Sequence, residues 1–146
     1  MSQATIADAI ENQIDNLIET WSVAVRDDPR IESDEKLSKP ELVDHVPAIV
    51  EEICRLIRQD ETPDVRNSHE ARANVYTRVH QGYKGRDLIR ELSLLRITLL
   101  DHMAFSEESP DVDAKERHAA ATILNLYLDE EMRYAISVYS NRPDVQ

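Results

Sequence analysis

The side chains of this chain that could do chemistry are five histidines, one cysteine and a large set of carboxylates interleaved with arginines. Their spacing argues against most of the reactions such groups support. A di-iron bundle needs Glu-x-x-His pairs on facing helices, and none of His45, His69, His80, His102 or His118 has an acid three residues before it. There is no His-Glu-x-x-His, no pair of cysteines and no pair of histidines four apart, so local spacing offers no zinc site. Glycine patterns that cradle phosphates or carry a nucleophilic serine are missing. Cys54 follows Ile53 on an apolar helix face and reads as a small hydrophobe. What is left lies around the Gly82-Tyr83 pair: His80, Tyr83, Glu91 and Arg96. His80, near the end of a helix in a helical chain of globin-like length, is placed as a globin's haem-binding histidine would be. Its other reading is a residue that is partly exposed or caps the preceding helix end, and Phe105 is the only phenylalanine that a haem pocket could use. Glu91 and Arg96 are about 140° apart around a helix, so they do not face each other. They read as salt-bridging residues between helices or subunits, or as polar lining of a small pocket reached from the Gly-Tyr turn.

The elements that must position these residues follow from periodicity. Leu88, Leu92, Leu95, Leu99 and Met103 recur at steps of four and three, widened by Ile89 and Leu100, which predicts a helix from the Gly-Tyr turn to about Phe105. Upstream, a first helix is predicted over Thr5–Asp27 on the stripe Ile6, Ile10, Ile14, Leu17, Trp21 and Val25, ended by Pro29, with Trp21 as a core or interface filler. A charged linker, 28–37, leads to Ser38 and Glu41, spaced as a capping box, with Pro40 in the first turn. The second helix carries Leu42, Val46, Ile49, Ile53 and Leu56, with Pro47 expected to kink it and His45 at its boundary. A shorter third helix spans Asn67–Gln81, with Val75, Tyr76 and Val79 inward. After an acidic loop, 106–113, the last helix runs from about Asp111 to Asn141, roughly 45 Å at the usual rise. Leu124, Leu128, Met132, Ala135 and Tyr139 lie along one side of it. Other apolar residues lie around the rest of its girth, as expected of a helix central to the core or shared by two subunits, so this stripe is the candidate dimer interface.

The bulk numbers agree with an all-α domain. Only two glycines in 146 residues disfavour a fold built of tight β-turns, and this length is one domain's worth, 1–146. A formal charge of −12 opposes phosphate backbones and anionic lipid, and Arg86, Arg90 and Arg96 are interleaved with Asp87 and Glu91, so nucleic acid and membrane are not expected partners. A single cysteine implies no oxidising compartment, and the N-terminus has neither a basic nor an apolar leader region. A cytoplasmic location is expected.

Two stretches resemble one family. The Gly-Tyr pair, a short spacer and Leu-Ile-Arg-Glu-Leu-Ser-Leu-Leu-Arg (88–96), together with the Leu-Ser helix opening and Asp-His-Val-Pro step of 37–57, are similar to the N-terminal domains of the RsbT co-antagonist (RsbRD) proteins, in the family's order. The resemblance, with the helices around it, covers most of the chain. It implies a globin-like bundle of about five helices without haem, found at the front of stressosome components and bacterial sensor histidine kinases. Glu91 and Arg96 match the Glu and Arg of the family's stretch, while His69 and His80 compete for its upstream histidine. The expected function is a non-catalytic, cofactor-free sensory input domain, a homodimer whose last helix carries a conformational signal to an output module. The alternatives are a haem-binding gas sensor using His80, and a stand-alone adaptor that binds protein partners.

Overall fold

The computed structural model describes residues 3–64, 68–105 and 114–142. Within them the only regular structure is helical, with no strand and a long last helix. Seven α-helices follow one another: α1 (Gln3–Asn12), α2 (Ile14–Asp27), α3 (Lys39–Val43), α4 (Val46–Gln59), α5 (His69–His80), α6 (Gly85–Phe105) and α7 (Ala114–Ser140), with a 3-10 turn at Ser33–Lys36. The excess over five comes from two breaks. The single helix expected over Thr5–Asp27 is interrupted at Gln13, whose ψ of 17° leaves the helical range, and Ile14 is only partly buried where the two pieces meet.

The second break corrects the reading of Pro47. The capping box is formed as expected, Ser38 Oγ accepting from Glu41 N and Glu41 Oε1 accepting from Ser38 N at 2.9 Å. The helix it opens ends after five residues, at Asp44 with φ of 25°. Pro47 then sits in the first turn of a new helix rather than kinking an old one. The cause is steric: its ring would strike the carbonyl four residues back, at Val43, and it has no N–H to bond there. His45 is half-buried at the junction with its Nε2 3.1 Å from Thr77 Oγ1.

The linker between α2 and α3 is also more ordered than its charge suggests. Asp34 is buried against Arg26, which also reaches the Leu37 carbonyl at 2.7 Å. Asp87 in the first turn of α6 accepts from Ser33 N and Ser33 Oγ at 3.1 and 2.6 Å, tying this linker to the start of α6.

The α6 stripe is buried as expected: Leu88, Leu92, Leu95, Leu99 and Met103 all join the core, with Ile89 and Leu100 at its edge. Trp21 from α2 is fully buried and donates its indole N–H to the Glu91 carbonyl at 3.1 Å. Helices α6 and α7 run antiparallel, Gly85 lying against the Tyr139 ring, Arg96 bonded to Asp129 and Arg117 to the Met103 carbonyl. On α5, Val75 and Val79 point inward as expected, but Tyr76 is 45% exposed and pairs with Tyr134 edge-on at 6.1 Å. Tyr76 lies about 100° around the helix from Val75, off the buried stripe. The expected helix start at Asn67, the acidic loop 106–113 and the first residues of the last helix lie outside the described residues.

Because α3 is only five residues long, its cap is a large share of what holds it. Ser38→Ala is expected to cost about 1 kcal/mol in urea unfolding.

Candidate functional site

Helix α5 ends in a glycine turn that sets the site. Gly82 has φ of +75°, the left-handed conformation that a Cβ disfavours, and the chain reverses so that Gly82 N bonds the Val79 carbonyl and Tyr83 N the Arg78 carbonyl at 2.9 Å. This turn folds Tyr83 back over the helix it has just left. Its ring lies 4.8 Å from the Arg78 guanidinium carbon, a cation–π contact in a fully buried setting.

Arg78 has no exposed surface, and all five of its guanidinium N–H groups find acceptors. Nε and one terminal nitrogen donate to Glu91 Oε1 at 3.0 and 2.8 Å. The same terminal nitrogen reaches the Leu42 carbonyl at 2.6 Å, and the other donates to the Glu41 carbonyl and Gln81 Oε1 at 3.2 and 2.7 Å. Glu41 and Leu42 are the carbonyls that the break at Asp44 leaves without helical partners. The arginine therefore caps α3, binds α6 and stacks on the turn that follows its own helix.

Glu91 is the counter-charge, itself buried. Burial pushes its carboxyl above the ordinary range, while Arg78's charge and hydrogen bonds pull it back. Its second oxygen, Oε2, and the Tyr83 hydroxyl face the same interior and are near enough to shift each other's ionisation, yet neither closes a hydrogen bond. Burial, then the Glu91 charge, drives the Tyr83 phenol far up, so it stays neutral. From α7, Tyr139 is buried beside this group, and burial raises its phenol to about 12. Outside Tyr139 an open groove of about 310 Å³ runs between the start of α6 and the end of α7, lined by Gly85, Arg86, Ile89, Ala135, Ile136 and Ser140.

The expected site residues are thus only partly brought together. Tyr83 and Glu91 meet in the interior. Arg96 does not join them: it is half-buried on the outer side of α6 and pairs with Asp129 of α7, an interhelix salt bridge. His80 is exposed at the end of α5, outside the cluster, where it has no enclosed position from which to hold a haem iron. The stripe expected at a dimer interface is turned inward, with Leu124, Leu128, Ala135 and Tyr139 buried in the chain's own core and Met132 packed against it. These residues have little surface left to offer a second copy. Cys54 is buried, and its thiol is pushed up to about 12 by burial, which makes it inert near neutrality. Among the described residues no group of three His, Cys, Asp or Glu side chains is placed to hold a metal ion.

Arg78, the centre of the cluster, is absent from the residues that motif and resemblance point to, although its position carries a signal. Ala71, Asn74, Val75 and Arg78 share one helical face at steps of three and four, so a charge and an amide fill places that periodicity assigns to the core. Removing one member of the Arg78–Glu91 pair strands the other's charge. Arg78→Met is expected to cost about 3–5 kcal/mol in urea unfolding, with much of the loss recovered in the double variant Arg78→Met/Glu91→Leu. Tyr83→Phe removes a buried hydroxyl that has no hydrogen-bond partner and is expected to raise stability by about 1–3 kcal/mol in urea unfolding.

No helix among the described residues is long and apolar enough to cross a membrane. No curated protein and no solved structure matches the chain. The family model of the RsbT co-antagonist protein rsbRD N-terminal domain matches residues 15–142, taking in the capping box, the Arg78–Glu91 pair and all of α7. With most of its length matched in this way, the chain belongs to the rsbRD N-terminal domain family.

Proposed function

We propose that this domain is the sensory input module of a bacterial signal-transduction protein, of the stressosome type or at the front of a sensor histidine kinase. On this reading it catalyses nothing, needs no cofactor, works in the cytoplasm and passes a change in helix packing along α7 to an output domain or partner protein. The family's name, RsbT co-antagonist, supports an output that restrains or releases an RsbT-like partner.

The observation that carries this reading is the unpaired Tyr83 hydroxyl and Glu91 Oε2, held in the interior beside Tyr139 of α7. A buried polar atom without a partner costs about 1–3 kcal/mol. Such a cost favours any second arrangement in which these atoms find partners, whether from a small ligand or from a shifted helix. Because α7 packs on α6, α4, α5 and α1, a change at this point is felt along most of the domain. In a homodimer, exposed apolar side chains such as Ile97 of α6 and Ile136 of α7, at 48% and 58%, would be available to a second copy.

Tyr83→Phe, introduced into the native gene, tests the sensory role without removing the fold. The expected result is a stress-responsive reporter whose balance between resting and induced output moves by about fivefold, the equivalent of about 1 kcal/mol. A folded variant with an unchanged response overturns the assignment of this cluster. Light scattering with an absorbance spectrum on the same peak is expected to give a colourless dimer of twice 16.8 kDa. A Soret band would instead support haem, and a colourless monomer the stand-alone adaptor.

A further inference from the structure

Another buried carboxyl lies on α7. Glu131 has no exposed surface. Its Oε2 accepts one hydrogen bond, from Asn74 Nδ2 of α5 at 3.0 Å, and the remaining oxygen of each partner, Glu131 Oε1 and Asn74 Oδ1, is buried with nothing to bond. The positive charge near it, Arg78, has given all its N–H groups to other acceptors. The other charges acting on it are Glu91 of α6 and Glu52 of α4, with the Tyr127 hydroxyl one turn back on α7. On α1, which also packs on α7, Asp8 and Glu11 are engaged by Arg58. A carboxylate ion in this position would have one hydrogen bond, no ion pair and like charges on two sides. A buried group in that state takes up a proton instead.

The pairing of the two unbonded atoms says where the proton goes. Both are acceptors, so without a proton they have nothing to exchange. One proton on Glu131 Oε1 makes it a donor to Asn74 Oδ1, and with the existing bond this closes a cyclic acid–amide pair of two parallel hydrogen bonds. A single proton thereby satisfies two buried atoms at once. We propose that Glu131 is a proton-binding site joining α7 to α5: the packed domain holds it as a neutral acid paired with Asn74, and loss of the proton loosens the two helices. The site stands whether or not the Tyr83–Glu91 cluster is sensory, because all it takes from that cluster is the nearby charge of Glu91.

The sign of the pH dependence follows. Burial raises the Glu131 carboxyl from an ordinary 4.5 to about 8. Between those values the folded chain holds a proton that the unfolded chain has lost, so stability is full below the lower value and falls as pH rises towards the upper one. Relative to Glu131→Gln, which keeps an amide pair with Asn74 and cannot ionise, the wild-type folding constant is expected to drop about tenfold per pH unit over that window. Infrared spectra in heavy water are expected to show a protonated-carboxyl band at neutral pH that disappears near pH 8 and is missing from the variant. Above that pH, amides of α5 and α7 should exchange hydrogen faster in the wild type than in the variant, after correction for the intrinsic rate. Glu131→Met, apolar and of similar size, serves the same comparisons should the glutamine variant fail to fold. No band at neutral pH, or parallel stability profiles for wild type and variant, overturns the proposal. So does exchange that is equal in the two proteins at alkaline pH. Tyr83→Phe with unchanged reporter output but an intact Glu131 band would remove the sensory assignment and leave this one standing.

Discussion

A guanidinium in a protein interior has to be given an acceptor for every N–H, and Arg78 shows what that requirement does to a fold. Moving such an ion out of water costs several kcal/mol, recovered only when its hydrogen bonds are complete. Here they come from three places: the last carbonyls of α3, the glutamine closing α5 and a carboxylate on α6. An apolar pair of the same volume would pack as stably or more so. It would not dictate where α3 ends, because leucine has no preference among carbonyls. The early end of α3 and the buried arginine are one feature: the break ahead of Pro47 frees the Glu41 and Leu42 carbonyls, and Arg78 is the donor that makes freeing them tolerable.

The same constraint explains why Tyr83 is where it is. The left-handed Gly82 reverses the chain within a few residues, and the Tyr83 N–H returns to the carbonyl of Arg78 itself. Ring, guanidinium and carboxylate are then stacked in one small volume, with aromatic and ionic interactions reinforcing each other away from water. What this volume does not do is satisfy the outer oxygen of Glu91 or the phenol of Tyr83. Stability alone would favour a phenylalanine at 83, so a tyrosine there calls for a reason other than packing.

How far the sequence discloses this depends on whether a residue obeys the usual pairing of character with burial. The α6 leucines do, and their spacing gives face, length and burial together. Ser38 and Glu41 do as well, since a capping box is a local arrangement that needs nothing from the rest of the chain. Arg78, Asn74 and Glu131 do not: each occupies a stripe position while belonging to a class that is exposed in most proteins. Glu131 falls three after Leu128 and four before Ala135, the step at which an apolar residue is expected, and the neighbouring Met132, which the apolar pattern selects, packs against the core only partly buried. The two helix breaks are hidden for a different reason. Gln13 carries no breaker residue, and Pro47 acts on a carbonyl four positions upstream, where nothing marks the break. Family resemblance locates Tyr83 and Glu91 but not the arginine that binds them, because the arginine lies outside the two recognised stretches.

Helix α7 draws these points together. Tyr127, Glu131, Ala135 and Tyr139 are four apart and lie along one line of its surface, all buried. The first meets Ser68 and Glu52, the second Asn74, and the last lies against Gly85 beside the Arg78–Glu91 pair. Apolar side chains slide past one another at small cost, because the dispersion attraction given up against one neighbour is regained against the next. Hydrogen bonds with fixed geometry do not, since a displacement of an ångström or so breaks them and a new register must be found elsewhere. A helix held by both kinds of interaction therefore has few positions open to it. Along α7 the apolar residues Ile123, Leu124, Leu128 and Ala135 are buried beside this line, and the polar line decides which position the helix takes. A change of protonation or partner at one point on that line acts on the whole 27-residue helix, where the same change on an all-leucine face would be absorbed locally.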